Sequence, residues 1–435
     1  MRFGTTTQTV FLFLGDLLAL AIALWLTLII RYLGWPSTQL FFDHLAPFAI
    51  IFILWSLVFF MYDLYGSRTL FLERKLTSAI LNAQVVNIII ALLFFYLIPY
   101  FGITPKTNLF IFLVVSCLIL LVWRRLGVGF VIRPAQESIL FACGGPEVEE
   151  LRQTFAKNSK YGITVRDGEP RALPQEVSMV VFNSHDTASA PLFANFYRML
   201  FSGVRFANIE DIYEEVYGRV PVSIISERWF LEHLSNQPKP FYDFFKRTTD
   251  LMVGLVFGIL SLILYPIVFV LIKLETPGPL FSYQTRVGKN NQPINLIKFR
   301  TMTNSNDGGV WGAVNKNKVT RVGKILRKTR IDELPQLWNV VRGDISLIGP
   351  RPEFADPVEK YSNQIPYYNI RHIIKPGLSG WAQMYHEAHP HHGLDVVETR
   401  NKLSYDLYYI KHRSIWLDIK IGLKTVALLL SAKGS

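Results

Sequence analysis

The sequence predicts a membrane protein in three parts. A four-helix transmembrane bundle covers residues 1–130, a small α/β domain 136–235, and a mainly α C-terminal domain 241–435. Three observations predict this. Half of the 435 residues are hydrophobic and 14% are aromatic, which is high for a wholly soluble chain. The apolar residues gather into long runs, four before residue 130 and one near 250–273. The formal net charge is +12, an excess that in such proteins lies at the cytoplasmic face, near anionic lipid or phosphorylated substrates. Nucleic acid would attract the same charge, but no nucleic-acid motif is present. The two cysteines, Cys117 and Cys143, form no CxxC, which excludes a disulfide framework and a thiolate metal site.

The four N-terminal runs cover roughly Val10–Ile30, Leu45–Met61, Ile80–Phe101 and Leu109–Trp123. A spanning helix needs about 20 residues, so the last run crosses only with its polar flanks. A cleaved signal peptide would be one shorter run before a small-residue cleavage site; four in succession predict a bundle. Arg2, Arg68, Arg74, Lys75, Arg124, Arg125 and Arg133 flank the runs on one side, whereas the opposite loops carry Arg31 and Lys106. The positive-inside rule then places both ends of the bundle in the cytoplasm. Asp16 lies near the cytoplasmic end of the first run and is read as snorkelling or meeting another helix, ahead of a functional role.

Residues 137–229 have the composition of a soluble unit. "SILFACGG" reads as a buried strand ending in a glycine turn, "PEVEELRQTFAK" as the following helix, and "VSMVVFN" as a second buried strand. That order predicts a small parallel, Rossmann-like sheet. A dinucleotide site needs three glycines spaced G-x-G-x-x-G, and only Gly144 and Gly145 stand here. A structural or regulatory domain is favoured over nucleotide binding.

The run Leu251–Ile272 is long enough to span, yet Lys246 and Arg247 precede it and Lys273, Arg286 and Lys289 follow. Both ends therefore read as cytoplasmic. Pro266 removes a helical hydrogen bond and permits a sharp bend, and Ser261 stands upstream to bond locally near the break. A re-entrant helix over 250–273 reconciles length, charge and proline; a kinked spanning helix is the alternative. The tail "SIWLDIKIGLKTVALLL" has Asp418, Lys420 and Lys424 at helical spacing, which suits a helix lying in the interface.

Within the basic C-terminal domain, Asp332 and Glu333 are adjacent, with Arg327, Lys328 and Arg330 before them and Arg342 and Arg351 after. Adjacent carboxylates suit a divalent cation held together with phosphate. Arginines clamp phosphate oxygens, and a carboxylate is able to attack phosphorus. A solvated face of salt bridges is the alternative from pattern alone. No DxD motif is present.

The segments "KFRTM" (298–302), "TRVGKILRKTRIDELPQLWNVVRGDISLIGPRPE" (320–353) and "IKPGLSGWAQ" (374–383) closely resemble the bacterial sugar transferases, the monotopic polyprenyl-phosphate phosphoglycosyl transferases. The resemblance runs from about Phe241 to the C-terminus, and the bundle with its degenerate α/β domain is similar to the family's large members. It implies an enzyme that moves a hexose-1-phosphate from a nucleotide diphosphate sugar, with UDP-hexoses as common cases, to undecaprenyl phosphate. Such enzymes start exopolysaccharide, capsule or O-antigen synthesis at the bacterial inner membrane, with the catalytic domain on the cytoplasmic face. On the matching positions, Asp332 corresponds to a nucleophile that carries the phosphosugar covalently, and Glu333 to its Mg2+-associated partner. Lys298, Arg300, Arg327 and Arg351 correspond to basic positions around the phosphates, and Ser261 and Pro266 to the break of a re-entrant helix. Asn291 replaces a glycine common in the family, and Asn also tolerates a left-handed turn. The implied partners are the nucleotide sugar, the lipid phosphate and the bilayer; a homo-oligomer is compatible with the sequence.

A glycosyltransferase moving only the sugar would be expected to carry DxD, and a non-catalytic assembly scaffold to have lost Asp332 or its basic neighbours. "HEAHPHH" (386–392) lacks HExxH spacing and reads as a polar loop ahead of a zinc site. Trp311 and Trp381 read equally as stacking partners for a base or sugar and as interfacial anchors.

Overall fold

A computed structural model describes residues 6–62, 64–65, 73–97, 106–131, 137–157, 163–166, 177–185, 193–199, 201, 203–234, 239–303, 318–385 and 395–430. Trp311 and the histidine-rich stretch 386–392 lie outside them, as do Arg2, Arg68 and Arg133. The chain divides into two compact units, Met1–Tyr217 and Gly218–Ser435.

The first unit begins with four helices: α1 (Thr6–Tyr32), α2 (Thr38–Met61), α3 (Glu73–Leu97) and α4 (Lys106–Val131). Stretches within α1, α2 and α4 are long and apolar enough to cross a membrane, whereas the apolar part of α3 is the shorter Ile80–Phe95. The amides Gln84 and Asn87 interrupt α3, and they face inward. Asn87 is fully buried and donates to Gln84 Oε1 at 3.1 Å, while its backbone oxygen accepts from Trp55 Nε1 at 3.1 Å. A polar side chain surrounded by hydrocarbon has to find such partners inside the protein. Phe48 and Trp55 pack on Phe112 at centroid distances of 4.9 and 5.4 Å, which ties α2 to α4.

Asp16 is a helix contact, and its partner is Arg124. Arg124 Nε donates to Asp16 Oδ1 at 2.9 Å and a second guanidinium nitrogen to Oδ2. Tyr65 Oη donates to Oδ2 at 2.8 Å, and Arg124 also donates to the Leu64 carbonyl at 2.7 Å. Both charged side chains are buried. Desolvating two ions is offset only where geometry is good and the remaining valences are filled, and this pair meets that condition. Arg124 is therefore an internal link between α1 and α4, and Arg125 is the exposed charge beside it.

The unit continues with β1 (Glu137–Phe141), α5 (Pro146–Lys157), β2 (Ile163–Arg166), β3 (Met179–Phe182), α6 (Phe193–Met199), β4 (Arg205–Asn208) and α7 (Ile209–Tyr217). The four strands form one sheet in the order β2-β1-β3-β4, with every pairing parallel. Continuous burial of Ile139, Leu140 and Phe141, and of Met179, Val180 and Val181, is what a sheet covered on both faces requires. Gly145 takes φ 130° in the turn before α5.

In the second unit, residues 218–234 include α8 (Glu227–His233) and join its core. Val220 and Trp229 are fully buried with Leu403, Tyr405 and Leu407, and Val220 N–H donates to the Ser404 carbonyl at 3.0 Å. Trp381 belongs to this core as well, with its Nε1–H given to the Gly218 carbonyl at 2.7 Å. That burial removes Trp381 from the stacking and anchoring roles expected above.

Helices α9 (Pro240–Ser261) and α10 (Tyr265–Glu275) are bent by 56° across a short break. Ser261 is buried, with Oγ donating to the Gly258 carbonyl at 2.6 Å, and Pro266 stands in the first turn of α10, where its missing N–H is not needed. The hairpin β5 (Phe281–Val287) and β6 (Pro293–Phe299) follows, turned by left-handed Asn290 and Asn291 (φ 55° and 60°). Next come α11 (Arg321–Lys328), a single 3-10 turn Ile331–Glu333, α12 (Gln336–Arg342), β7 (Ser346–Ile348), α13 (Ala355–Gln364), β8 (Gly377–Ser379), α14 (Trp381–Tyr385), α15 (Val396–His412) and α16 (Ile415–Leu430). Strands β7 and β8 pair in parallel.

Candidate active site

The adjacent carboxylates sit in the 3-10 turn between α11 and α12. Arg330 enters it in the left-handed conformation (φ 54°), which breaks α11 and turns the chain so that Asp332 points inward. Asp332 is 7% exposed. Helix α11 reaches this position by close approach to the chain just beyond β6. A Cβ on Gly323 would lie 2.1 Å from the Thr301 carbonyl oxygen, so only glycine fits there. Thr320 caps the helix by accepting from Gly323 N–H at 2.9 Å, a typical first-turn contact.

On the other side, Asn339 of α12 fixes β6. Its amide nitrogen donates to the Asn295 carbonyl at 2.8 Å and its oxygen accepts from Ile297 N–H at 3.0 Å. Asn339 thereby supplies the free edge of β6 with the two bonds a further strand would give, and Lys298, the next residue, is carried to the turn.

Glu333 is surrounded by cations. Its Oε1 accepts from Lys298 Nζ at 3.1 Å and from Arg351 Nη2 at 2.9 Å, and Arg330 lies 4.0 Å from Oε2. Burial alone would raise its pKa, but Arg351, Lys298 and Arg330 outweigh burial and hold the carboxyl well below its ordinary range. Asp332 stands one residue away in the opposite condition. Its pKa is pushed up to about 6, chiefly by burial; Lys298 opposes the rise and the Glu333 charge adds to it. Two neighbouring buried carboxylates cannot both be held cheaply as anions, and the cations bound to Glu333 resolve this in its favour.

Arg351 is aimed by the backbone on which it sits. Four successive carbonyls each accept from a different group: Pro350 from Gly377 N–H at 2.9 Å, Arg351 from Arg371 Nη2 at 3.0 Å, Pro352 from Arg286 Nη1 at 3.4 Å, and Glu353 from Val287 N–H at 2.9 Å. Arg371 is itself buried and paired with Asp406 at 2.8 Å.

Of the residues expected from the sequence, Asp332, Glu333, Lys298 and Arg351 are brought together. Arg327 lies at the rim, exposed, with Nε donating to Thr301 Oγ1 at 2.9 Å. Arg300, expected with the phosphate-binding group, is placed elsewhere. Its buried guanidinium donates to the carbonyls of Pro277 and Thr276 at 2.6 and 2.8 Å. Arg286, Arg371 and Asp406 were missed as contributors. Each is a single residue far in sequence from the carboxylates, and no local spacing marks it.

Among the described residues no group of three or more His, Cys, Asp or Glu is set to hold a metal. Glu333 keeps one oxygen off the two short cation bonds, and Asp332 lies beside it. This donor set fits an ion that takes one or two carboxylates and completes its shell with substrate phosphates and water, which is the habit of Mg2+.

A bacterial sugar transferase family model matches residues 241–432. The UDP-glucose:undecaprenyl-phosphate glucose-1-phosphate transferase of Caulobacter vibrioides is 41% identical over 197 residues, covering 45% of this chain and 73% of that protein. The chain belongs to the bacterial sugar transferase family. The UDP-N-acetylgalactosamine-undecaprenyl-phosphate N-acetylgalactosaminephosphotransferase of Aeromonas hydrophila is 42% identical over 230 residues, or 52% of this chain and 53% of that protein. A UDP-glucose:undecaprenyl-phosphate glucose-1-phosphate transferase of Escherichia coli is 38% identical over 45% of this chain and 44% of its own length. The match thus spans about half the length of the Aeromonas and Escherichia relatives.

The raised pKa of Asp332 makes a signed prediction. The folded protein takes this proton more readily than the unfolded chain, so the ionised carboxylate destabilises the fold above pH about 6. Asp332→Asn is expected to stabilise the protein near pH 8 by up to about 3 kcal/mol. The gain should shrink as pH falls through 6 and vanish below the ordinary aspartate range, where both states are protonated. Thermal unfolding in detergent across pH 4–8 tests this, and an Asn variant less stable than the parent at pH 8 would contradict the assignment.

Proposed function

We propose that the C-terminal unit transfers a sugar-1-phosphate from a UDP-hexose to undecaprenyl phosphate, with Asp332 as nucleophile. The observation that carries the reading is the division of labour within one turn. A buried carboxylate is poised near neutral pH beside a second one locked as an anion by Lys298 and Arg351. The relatives supply the substrate class: their activities share a UDP-sugar and undecaprenyl phosphate and differ in the sugar. The reaction would start an exopolysaccharide, capsule or O-antigen.

In the first step an Asp332 oxygen attacks the sugar-bearing phosphorus. The bond from that phosphorus to the bridging oxygen breaks, and uridine monophosphate leaves. In the second, an oxygen of the lipid phosphate attacks the same phosphorus and the bond to Asp332 breaks, which frees the carboxylate. A covalent intermediate suits substrates that come from different phases, since the two need not be bound together. Lys298 and Arg351 would stabilise the equatorial oxygens, and Arg327 at the rim would meet the departing nucleotide. Mg2+, bound through Glu333 or Asp332 and the diphosphate, would supply further charge neutralisation.

We also propose the arrangement in the membrane. Helices α1 to α4 form a four-helix transmembrane bundle, the α/β sheet and the catalytic unit lie on the cytoplasmic side of the inner membrane, and α9–α10 enters and leaves by that side. Support comes from the basic residues at both ends of α9–α10 and from the bend between them.

The leaving group separates this reading from a sugar-only transferase. Incubation with a UDP-sugar and undecaprenyl phosphate is expected to release the monophosphate stoichiometrically with lipid product. Release of the diphosphate would sink the proposal. For the topology, single cysteines replacing Thr248 and Thr276, in a background without Cys117 and Cys143, should react with an impermeant thiol reagent from the cytoplasmic side alone. Labelling of position 276 from the other side would reject the re-entrant arrangement.

A further inference from the structure

The bent helix pair is tied to the carboxylate turn at both of its arms. One tie comes from α9. Arg247 donates to the carbonyls of Val340 and Val341 at 2.8 and 2.7 Å, two of the last carbonyls of α12, beyond the reach of its regular i→i−4 ladder; Val340 shares its oxygen with the Gly343 N–H at 3.1 Å. Three residues on, Asp250 accepts from Leu347 N–H at 2.9 Å and Ser346 Oγ at 3.1 Å. Further along the same face, Gly254 lets α12 approach: a Cβ there would meet Val341 Cγ2 at 3.1 Å and Val340 Cγ1 at 3.4 Å. Met252, Val256, Ile259 and Leu260, on the remaining surface of α9, are exposed.

The second tie comes from the end of α10. Glu275 accepts from the backbone N–H groups of Arg321 and Val322 at 2.5 and 2.8 Å, two of the free donors at the start of α11. A carboxylate at the N-terminus of α11 and a guanidinium at the C-terminus of α12 both oppose the local helix dipole with the favourable sign. The Asp332–Glu333 turn lies between these two helices. Its height is therefore set by α10 on one side and by α9 on the other.

We propose that Arg247 and Glu275 are positioning residues that couple the membrane-embedded hairpin to the carboxylate turn, and so fix the depth at which the turn meets a phosphate anchored in the bilayer. The proposal rests on the two-step reaction above. It divides the two steps, because the nucleotide sugar arrives from water and is indifferent to depth, whereas the lipid phosphate is held at headgroup height. A displacement of about 1 Å is enough to cost a large factor in rate.

The test uses the full-length protein in vesicles containing undecaprenyl phosphate. Arg247→Ala and Glu275→Gln are compared with the parent in three assays. These are the burst of uridine monophosphate without acceptor, transfer to the bilayer lipid, and transfer to a short-chain prenyl phosphate dissolved in water. The expected result is a burst within about twofold of the parent, transfer to the bilayer lipid reduced about tenfold or more, and transfer to the soluble acceptor preserved. Gly254→Ala, which deletes no hydrogen bond and displaces α12 slightly, should give the same pattern more weakly. It keeps the test open if either polar variant does not fold. Equal loss of burst and transfer, no loss in either, or equal failure with the soluble acceptor would overturn the proposal. A parent protein without any burst would instead remove the two-step reading beneath it.

Discussion

The ion pairs of Glu333 are the constraint on which the site depends. An aspartate and a glutamate next to each other in a buried turn repel, and burial penalises both. Lys298 and Arg351 come from β6 and from the loop after β7, and both donate to the same glutamate oxygen. With Glu333 held as the anion, burial, with the Glu333 charge adding to it, raises the Asp332 pKa to about 6. A carboxylate in that range is ionised in most molecules at neutral pH and retains more nucleophilicity than one held near its ordinary value. The surrounding architecture serves this arrangement. Asn339 seats the strand that carries Lys298, and the four bonded carbonyls from Pro350 to Glu353 hold the loop that carries Arg351.

The same unit faces two environments. Its core, around Trp229, Tyr368, Trp381 and Leu407, is built as in any soluble domain, while the outer face of α9 presents large apolar side chains to the exterior. Small and polar residues line the inner face of that helix, where it packs on α12 and β7. This inverts the usual amphipathic pattern, with polar contacts inside and apolar surface outside, and it suits the proposed arrangement, in which α9 borders lipid on one side and the carboxylate site on the other.

Much of this was legible in the sequence, for identifiable reasons. Long apolar runs and their breaks located the membrane-length helices, and the alternation of buried strands with "PEVEELRQTFAK" located the parallel sheet. The carboxylates and two of their cations were legible because they lie within long, specific motifs. What stayed hidden depends on distant pairing. Arg124 looked like a flanking charge because charge counting ignores partners, and Asp16, 108 positions away, supplies one. Arg300 stands two residues from Lys298, yet strand alternation had already ended there and its guanidinium turns to the Thr276–Pro277 carbonyls. Trp381 carried no sign in its neighbours that it would be enclosed by α15.

The most direct test of the central claim is intact-mass analysis of the purified protein after exposure to a UDP-sugar in the absence of lipid acceptor. The account predicts a population heavier by one phosphosugar, which disappears when undecaprenyl phosphate is added and never forms on Asp332→Asn. The same adduct on Asp332→Asn, or turnover by that variant at the parental rate, would contradict the assignment of Asp332 as the group that carries the sugar phosphate.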